Sequence, residues 1–537
     1  MASVTKSASV GRQSPATPVA AANPPWLAAV AIVPILATVY QTLVLTDVTS
    51  DVIRKGIDAE HYSMIWTSVS WGAAIIYGLF IGLWAMPRHG SRDTLLVGLA
   101  WFAVGNLLCG AAVDVPTLAA AKLVEGIGKG MVIVLCRSLL YRQFDKMVLV
   151  AIGIYGVIAY ATRPTTPLFT ALVNEELSWR WVFWINVPLA ALAFPLVRRF
   201  IKPDRPLEPQ PSKFKFIGIT VFVAWVVSLV FTFAWYRKWG GWTSSAFTAT
   251  ALFTILAPIA VIALVAASVT GSEHLRRMLR VRVYVLAMCV RMLMLLQLLA
   301  VLTLMASYCL ELRDYPRPTT GWILAPASLT MAVSTLLTTW FHRPALRHLW
   351  LLIGVIGCAA CLWWMSSVDF YTSKGIIALM IGCWGIFVGL FPPSFLQDEV
   401  DALDRRDAAL GGALAIVCLI VPIVVIPTMT STIVSAWTDR AFDAERLNIQ
   451  QNRPAVTEST ARVADYYAQR GVGGPEASQM ASTVIGASAH LEAASQGIQA
   501  GLRFLSVIVG GLGLLVSGGL VIPSRFGMPF EIAAASK

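Results

Sequence analysis

Apolar residues run through this chain in long blocks, and polar residues gather in the short gaps between them. Each block has about the length a helix needs to cross roughly 30 Å of hydrocarbon. The runs cover residues 26–46, 62–86, 94–112, 117–140, 147–172, 181–199, 215–236, 246–270, 283–309, 319–341, 350–368, 375–397, 408–436 and 502–522. Runs of this length are too long for buried strands. In lipid a helix meets every backbone hydrogen bond within its own segment. The pattern predicts an all-α polytopic membrane protein with about 14 transmembrane helices.

Four stretches break the pattern. Residues 1–25 are rich in Ser, Ala and Pro and read as a disordered cytoplasmic tail, and 523–537 read as a second cytoplasmic tail. The Pro-rich, basic "FIKPDRPLEPQPSKF" places a cytoplasmic linker over residues 201–214. Residues 437–500 form the only long extramembrane segment, expected outside and mostly helical, with Pro475 near a helix start. Its Ala- and Ser-rich run lacks an apolar face that folds alone. A partner surface, the membrane domain or a solvated hairpin would each complete it.

Composition agrees with the pattern. The chain is 57% hydrophobic and 13% charged, against roughly 25% charged in soluble domains. Its net charge of +12 comes from Lys and Arg clustered in alternate short loops, for example Arg198, Arg199 and Lys202, then Arg276, Arg277, Arg280 and Arg282. That bias puts both termini in the cytoplasm. It also explains the basic balance without nucleic acid, for which no motif is present. The eight cysteines all lie in apolar runs, so no disulfide framework is expected, and Cys358 and Cys361 read as packing residues. The histidines have no metal spacing and no phosphate-binding loop occurs. Neither an enzyme nor a cofactor is expected.

The candidate chemistry is charge at membrane depth. In "AAKLVEGIGKGMVIVLCRSLLY", Lys122, Glu125 and Lys129 are spaced three and four apart and share one helical face, with Arg137 in the same sector. Two readings stand: a neutralising network that ties helices together, or a proton relay or substrate site. Glu125 and Lys122 are candidates for proton coupling, as is Asp47 at the end of the first run. Lys129, Arg137, Arg163, Tyr40 and Gln41 are candidates for the substrate path. Pro164 and Pro167 follow Arg163 and break its helix. Arg291 is expected to snorkel toward the cytoplasmic surface. Trp66 and Trp71 are expected in an interfacial aromatic belt. The surplus of cations leans toward an anionic or zwitterionic substrate.

"SWRWVFWINVP" at residues 178–188 resembles a turn between spans five and six of the fourteen-helix drug:proton antiporters (EmrB/QacA type) of the Major Facilitator Superfamily. "KLVEGIGKG" is similar to that family's Arg-x-x-Gln-Gly-x-Gly, with Lys122 and Glu125 in place of the Arg and Gln. "YCLELRDYPRPTTGWILAPASL" and "RRDAALGGALA" resemble its junctions before spans ten and thirteen. "MPRHGSRD" keeps Arg88, Gly90 and Arg92 of a conformational motif but has Pro87 where the family has Asp. Tyr40 stands where span one carries an acid, and only Pro167 remains of Gly-Pro-x-x-Gly-Gly.

The resemblance implies two six-helix bundles, 26–200 and 283–522, with an inserted helix pair at 215–270. It implies proton-coupled efflux of amphiphilic or anionic aromatic compounds from a bacterial inner membrane. It also implies a periplasmic membrane-fusion adaptor as partner. The altered motifs leave open a dedicated metabolite exporter or a facilitator without proton coupling. The lost acid of span one and the gained Glu125 suggest that Glu125 carries the proton.

Overall fold

The computed structural model describes residues 25–43, 45–144, 147–203, 216–236, 241–267, 278–341, 346–403, 408–450, 454–470 and 472–521. Nearly all of the expected tails and linker lie outside these residues, as does the side chain of Asp47.

The described residues form helices and no strand. The chain begins with α1 (Pro25–Gln41), α2 (Leu45–Gly56), α3 (Ile65–His89), α4 (Ser91–Ala111) and α5 (Val115–Gln143). A broken span follows. α6 (Val148–Gly156) passes through a π-turn (Val157–Ala161) and a 3-10 turn (Arg163–Thr165) into α7 (Thr166–Glu176). α8 (Trp181–Trp184) leads into α9 (Asn186–Phe200), and α10 (Phe216–Ala234) pairs with α11 (Ser245–Ala267). α12 (Arg282–Ser307) ends in a second π-turn (Tyr308–Leu312). Then come α13 (Arg317–Leu324), α14 (Pro326–Trp340), α15 (Arg347–Met365), α16 (Lys374–Val388) and α17 (Phe391–Asp401). The chain closes with α18 (Ala408–Gln450), α19 (Pro454–Ala468) and α20 (Gly474–Val521).

Eleven stretches among the described residues are long and apolar enough to cross a membrane. Three further helices fall short of that standard for separate reasons. α1 has 17 residues. In α11 the side chains are described over Ser245–Ile259. α5 is 29 residues long, but Lys122, Glu125, Lys129 and Arg137 interrupt its apolar character.

α5 sits against α3 and α4 at unusually close range, and glycine makes that possible. A Cβ on Gly130 would stand 2.2 Å from the Ile75 carbonyl of α3, and one on Gly105 of α4 would stand 2.3 Å from the Glu125 backbone. Small residues let helix backbones approach in this way. α3 and α4 are joined by Gly90 alone, whose φ of 83° is a conformation that favours glycine. At the start of α5 the Asp114 carboxylate accepts from the Thr117 amide (2.8 Å), and the Asp114 amide donates to the Thr117 hydroxyl (3.2 Å), a capping box.

The early and late helices meet along one seam: α6 packs on α14 and α17, α7 on α13, and α3 on α18. α18 and α20 have 43 and 48 residues. At about 1.5 Å per residue each runs more than 60 Å, about twice the hydrocarbon thickness. They lie side by side, with α19 against α20. Ala477, Ala481, Ala489 and Ala493 of α20 are buried. The Ala-rich face therefore packs within this extension, because small side chains suit close helix contact even where they offer little apolar area.

Candidate functional site

Among the described residues, three sites of buried charge stand out. The first is contained in α5. The Lys122 ammonium is 2.8 Å from Glu125 Oε2, and the Lys129 ammonium is 2.7 Å from Glu125 Oε1. All three side chains are buried. Lys129 also donates to the Thr42 carbonyl (3.2 Å) and lies over the ring of Trp71, 5.3 Å from its centroid. Lys122 lies over Phe183, 4.5 Å from its centroid. Glu125 is thus clamped at both oxygens, and the cluster carries one net positive charge. Trp71 is buried over this clamp, not in an interfacial belt as expected. The reason is that Lys129 needs an aromatic face where no second acid is present.

The second cluster joins distant helices. Glu399 of α17 is ion-paired with Arg137 of α5 through Oε1 and with Arg291 of α12 through Oε2. Arg137 also donates to the Gly412 carbonyl of α18 (2.7 Å). The Tyr141 and Tyr155 rings flank the Arg137 guanidinium at 5.3 and 5.4 Å. Arg291 is fully buried. The expectation that it snorkels is wrong, because Glu399 offers a carboxylate inside the bundle that outcompetes the membrane surface. Beside this cluster, buried Asp398 is 3.0 Å from Arg347.

The third cluster is a single residue. Arg163 follows the π-turn of the broken span and is fully buried. None of its three guanidinium nitrogens has a hydrogen-bond partner, and its neighbour is the face of Tyr160, 5.4 Å from the ring centroid. It borders a cavity of about 440 Å³. Thr67, Pro167 and Asn174 line one side and Leu302, Thr303 and Thr320 the other, so the cavity lies on the seam between early and late helices. Asn174 Oδ1 and the Thr320 hydroxyl also lack partners. Asp51, Glu311 and Arg317 stand at the cavity's rim, with Asp51 and Arg317 3.9 Å apart across it.

The remaining candidates fall elsewhere. Tyr40 is buried, and its hydroxyl is 2.7 Å from the Tyr155 hydroxyl. The Gln41 carbonyl accepts from Thr166 (3.3 Å). Arg88 donates to the Trp84 carbonyl (2.7 Å), and Arg92 pairs with Asp93 (2.9 Å). Pro167 is in the cavity wall. Of the sequence candidates whose side chains are described, then, only Arg163 and Pro167 border the cavity. Among the described residues no three His, Cys, Asp or Glu side chains converge on a point fit for a metal.

Glu399 lies two residues beyond the end of the apolar run expected over 375–397. The signal was present: Phe395, Leu396 and Val400 continue a helical stripe around it, which makes Glu399 a residue of the span and not of the loop.

A profile described as the Major Facilitator Superfamily matches residues 26–427. The chain belongs to the Major Facilitator Superfamily. It is 28% identical over 181 residues to "Multidrug resistance protein 3" of Bacillus subtilis, covering 33% of this chain and 35% of that protein. It is 26% identical over 166 residues to "Efflux pump FUS6" of Gibberella fujikuroi, covering 29% of each. This facilitator-superfamily chain thus spans about a third of the length of the curated relatives it matches. A solved structure titled an auto-inhibited peptide transporter of the POT family superposes with a TM-score of 0.54 at 12% identity, over 94% of this chain and 97% of that one. That likeness concerns the fold alone. As a superfamily member with eleven membrane-length apolar stretches among its described residues, the protein is a multi-pass membrane protein.

Proposed function

We propose that this chain exports amphiphilic anions, aromatic ones foremost, by alternating access, and that the cavity at Arg163 is its substrate site. The observation that carries the reading is Arg163 itself. A buried guanidinium with no carboxylate and no hydrogen-bond acceptor is costly unless a ligand completes it. It borders a cavity whose walls come from both sets of helices, the place where a rocking transporter binds its substrate. Leucine and threonine side chains around it suit an apolar body with one anionic group.

The expected fourteen spans correspond to the eleven long apolar helices together with α1, α5 and α11. This supports membership of the fourteen-helix drug:proton antiporters, with two bundles and α10–α11 as the inserted pair. With both termini in the cytoplasm of a bacterial inner membrane, the rim at Asp51 and Arg317 faces outward. The Arg137–Glu399–Arg291 cluster then seals the cytoplasmic end. The long extension of α18 to α20 is where a periplasmic adaptor would dock.

Proton coupling through Glu125 fits less well than a structural role, since both its oxygens are held by lysines away from the cavity. That placement favours the second reading, an exporter with altered coupling.

Uptake into inside-out vesicles tests the proposal. 1-Naphthalenesulfonate, a permanent anion, is expected to accumulate, and the cation N-methylquinolinium is not. Arg163→Gln is expected to lower the anion's uptake by about tenfold or more. Accumulation of the cation, with the anion excluded, would contradict it.

A further inference from the structure

We infer that Arg137, set between the rings of Tyr141 and Tyr155, is a second site for aromatic anions, which receives the substrate when the early and late helices part at that end of the seam. The inference rests on the anion-export reading and its alternating access. It adds to the cavity at Arg163 the site from which that cavity is loaded.

The two sites lie at different depths along the same spans. Tyr155 of α6 stands beside Arg137, and Arg163, Pro167 and Asn174 at the cavity follow it in the chain. In α12, Arg291 precedes Leu302 and Thr303 of the cavity wall. In α18, Gly412 and Ala415 precede Thr428 and Thr432 of that wall. At about 1.5 Å per residue, Tyr155 and Arg163 are roughly 12 Å apart along their span.

The partners of the two arginines divide unequally between early and late helices. Arg291 takes its carboxylate from Glu399 and a ring face from Phe395 (4.9 Å), both of α17, and a carbonyl from Ala415 of α18 (3.3 Å). α12 packs on both of those helices. Arg137 also donates to late helices, to Glu399 and to the Gly412 carbonyl. What the early helices give it is two ring faces, Tyr141 at 5.3 Å and Tyr155 at 5.4 Å. Tyr155 is held among the early helices by the Tyr40 hydroxyl (2.7 Å).

Parting the two sets therefore leaves Glu399 with Arg291. Arg137 keeps the rings and gives up both acceptors. A guanidinium takes one anionic group, and the ring faces take an aromatic body. This is the chemistry of the cavity, where Arg163 lies 5.4 Å from the centroid of Tyr160. In the shut form Glu399 fills the place of the substrate's anionic group, so substrate and Glu399 compete for Arg137. An aromatic anion thereby favours the open end.

Binding of 1-naphthalenesulfonate to purified full-length protein carrying Arg163→Gln, which removes the cavity's cation, tests this. Adding Arg291→Met and Glu399→Gln removes one charge of each sign and frees Arg137 of its carboxylate. Sulfonate binding is then expected to tighten by about tenfold or more, because a larger share of the protein has Arg137 free. The neutral 1-naphthalenemethanol is expected to show no such gain, and Arg137→Met in the same protein is expected to abolish it for the sulfonate. Hydrogen exchange on Arg163→Gln alone reads the competition with the ion pairs intact. The sulfonate is expected to quicken exchange over residues 391–401 of α17, and naphthalenemethanol is not. Sulfonate that binds wild type but produces neither effect would overturn the second site and leave the cavity reading standing. So would a gain that survives Arg137→Met. No saturable binding to wild type would overturn the cavity reading and the second site with it.

Discussion

Arg137 and Glu399 stand 262 positions apart in the sequence, yet their side chains are ion-paired in the buried interior, where α5 meets α17. The pair links an early helix to a late one. Under the proposed alternating access it breaks when that side of the seam opens.

Glu399→Gln leaves Arg137 and Arg291 facing each other without a carboxylate. Breaking a buried pair from one side costs about 3–5 kcal/mol. The variant is expected to unfold at markedly lower temperature in detergent. A cysteine placed near the C-terminal end of α17 is also expected to label faster. Combining Arg137→Met, Glu399→Leu and Arg291→Met removes all three charges and is expected to recover much of the stability. A triple variant less stable than Glu399→Gln would argue against an electrostatic lock.

The clamp on α5 separates a structural from a proton-carrying role. Glu125→Gln strands Lys122 and Lys129 in a dry site, again at a cost of about 3–5 kcal/mol, so little folded protein is expected. A variant that folds well and loses only its response to pH gradients would instead favour a proton-carrying role. Size-exclusion profiles and thermal melts of purified Glu125→Gln distinguish the two.

Glycine contacts set the spacing of α3, α4 and α5. Gly105→Ala and Gly130→Ala each drive a methyl into backbone 2.2–2.3 Å away. Both are expected to lower the melting temperature sharply or to abolish expression. Gly218→Ala has nothing within 4 Å, and the loss of unfolded-chain freedom makes it neutral or mildly stabilising. Melting curves of the three variants measure the contrast.

Outside the membrane, the Thr117 hydroxyl and amide hold the Asp114 carboxyl below the ordinary carboxylate range. A depressed folded-state value means that the cap contributes stability above the unfolded pKa of about 3.9 and loses it as the pH falls through the folded value. Protection of the first-turn amides of α5, taken relative to their intrinsic exchange rate at each pH, is therefore expected to fall on acidification below that range in wild type. Asp114→Ala is expected to show fast exchange at neutral pH already.

Much of the fold was legible because lipid imposes length and polarity on every helix. α3, α4 and α12 could be read directly from their apolar runs. The charged face of α5 was visible too, since spacings of three and four stack Lys122, Glu125 and Lys129 whatever the tertiary structure. What sequence could not supply was partnership across the chain. Arg137 shares a helical face with the α5 cluster, but its carboxylate partner is Glu399 of α17, and the same acid holds Arg291 inside the bundle and away from the interface. Trp71 read as a membrane-surface aromatic because its partner, Lys129, lies on another helix. Arg163 is the opposite case. Sequence placed it at depth next to helix-breaking prolines, and structure added that no acid comes to meet it.

Equilibrium binding to purified protein tests most directly whether Arg163 is the anion-receiving group of the cavity. Titration of wild type with 1-naphthalenesulfonate is expected to show saturable binding, weakened about 10–100-fold by Arg163→Gln, the worth of one charge-assisted contact. The neutral analogue 1-naphthalenemethanol is expected to bind both proteins alike. Equal affinity of wild type and Arg163→Gln for the sulfonate would contradict the assignment.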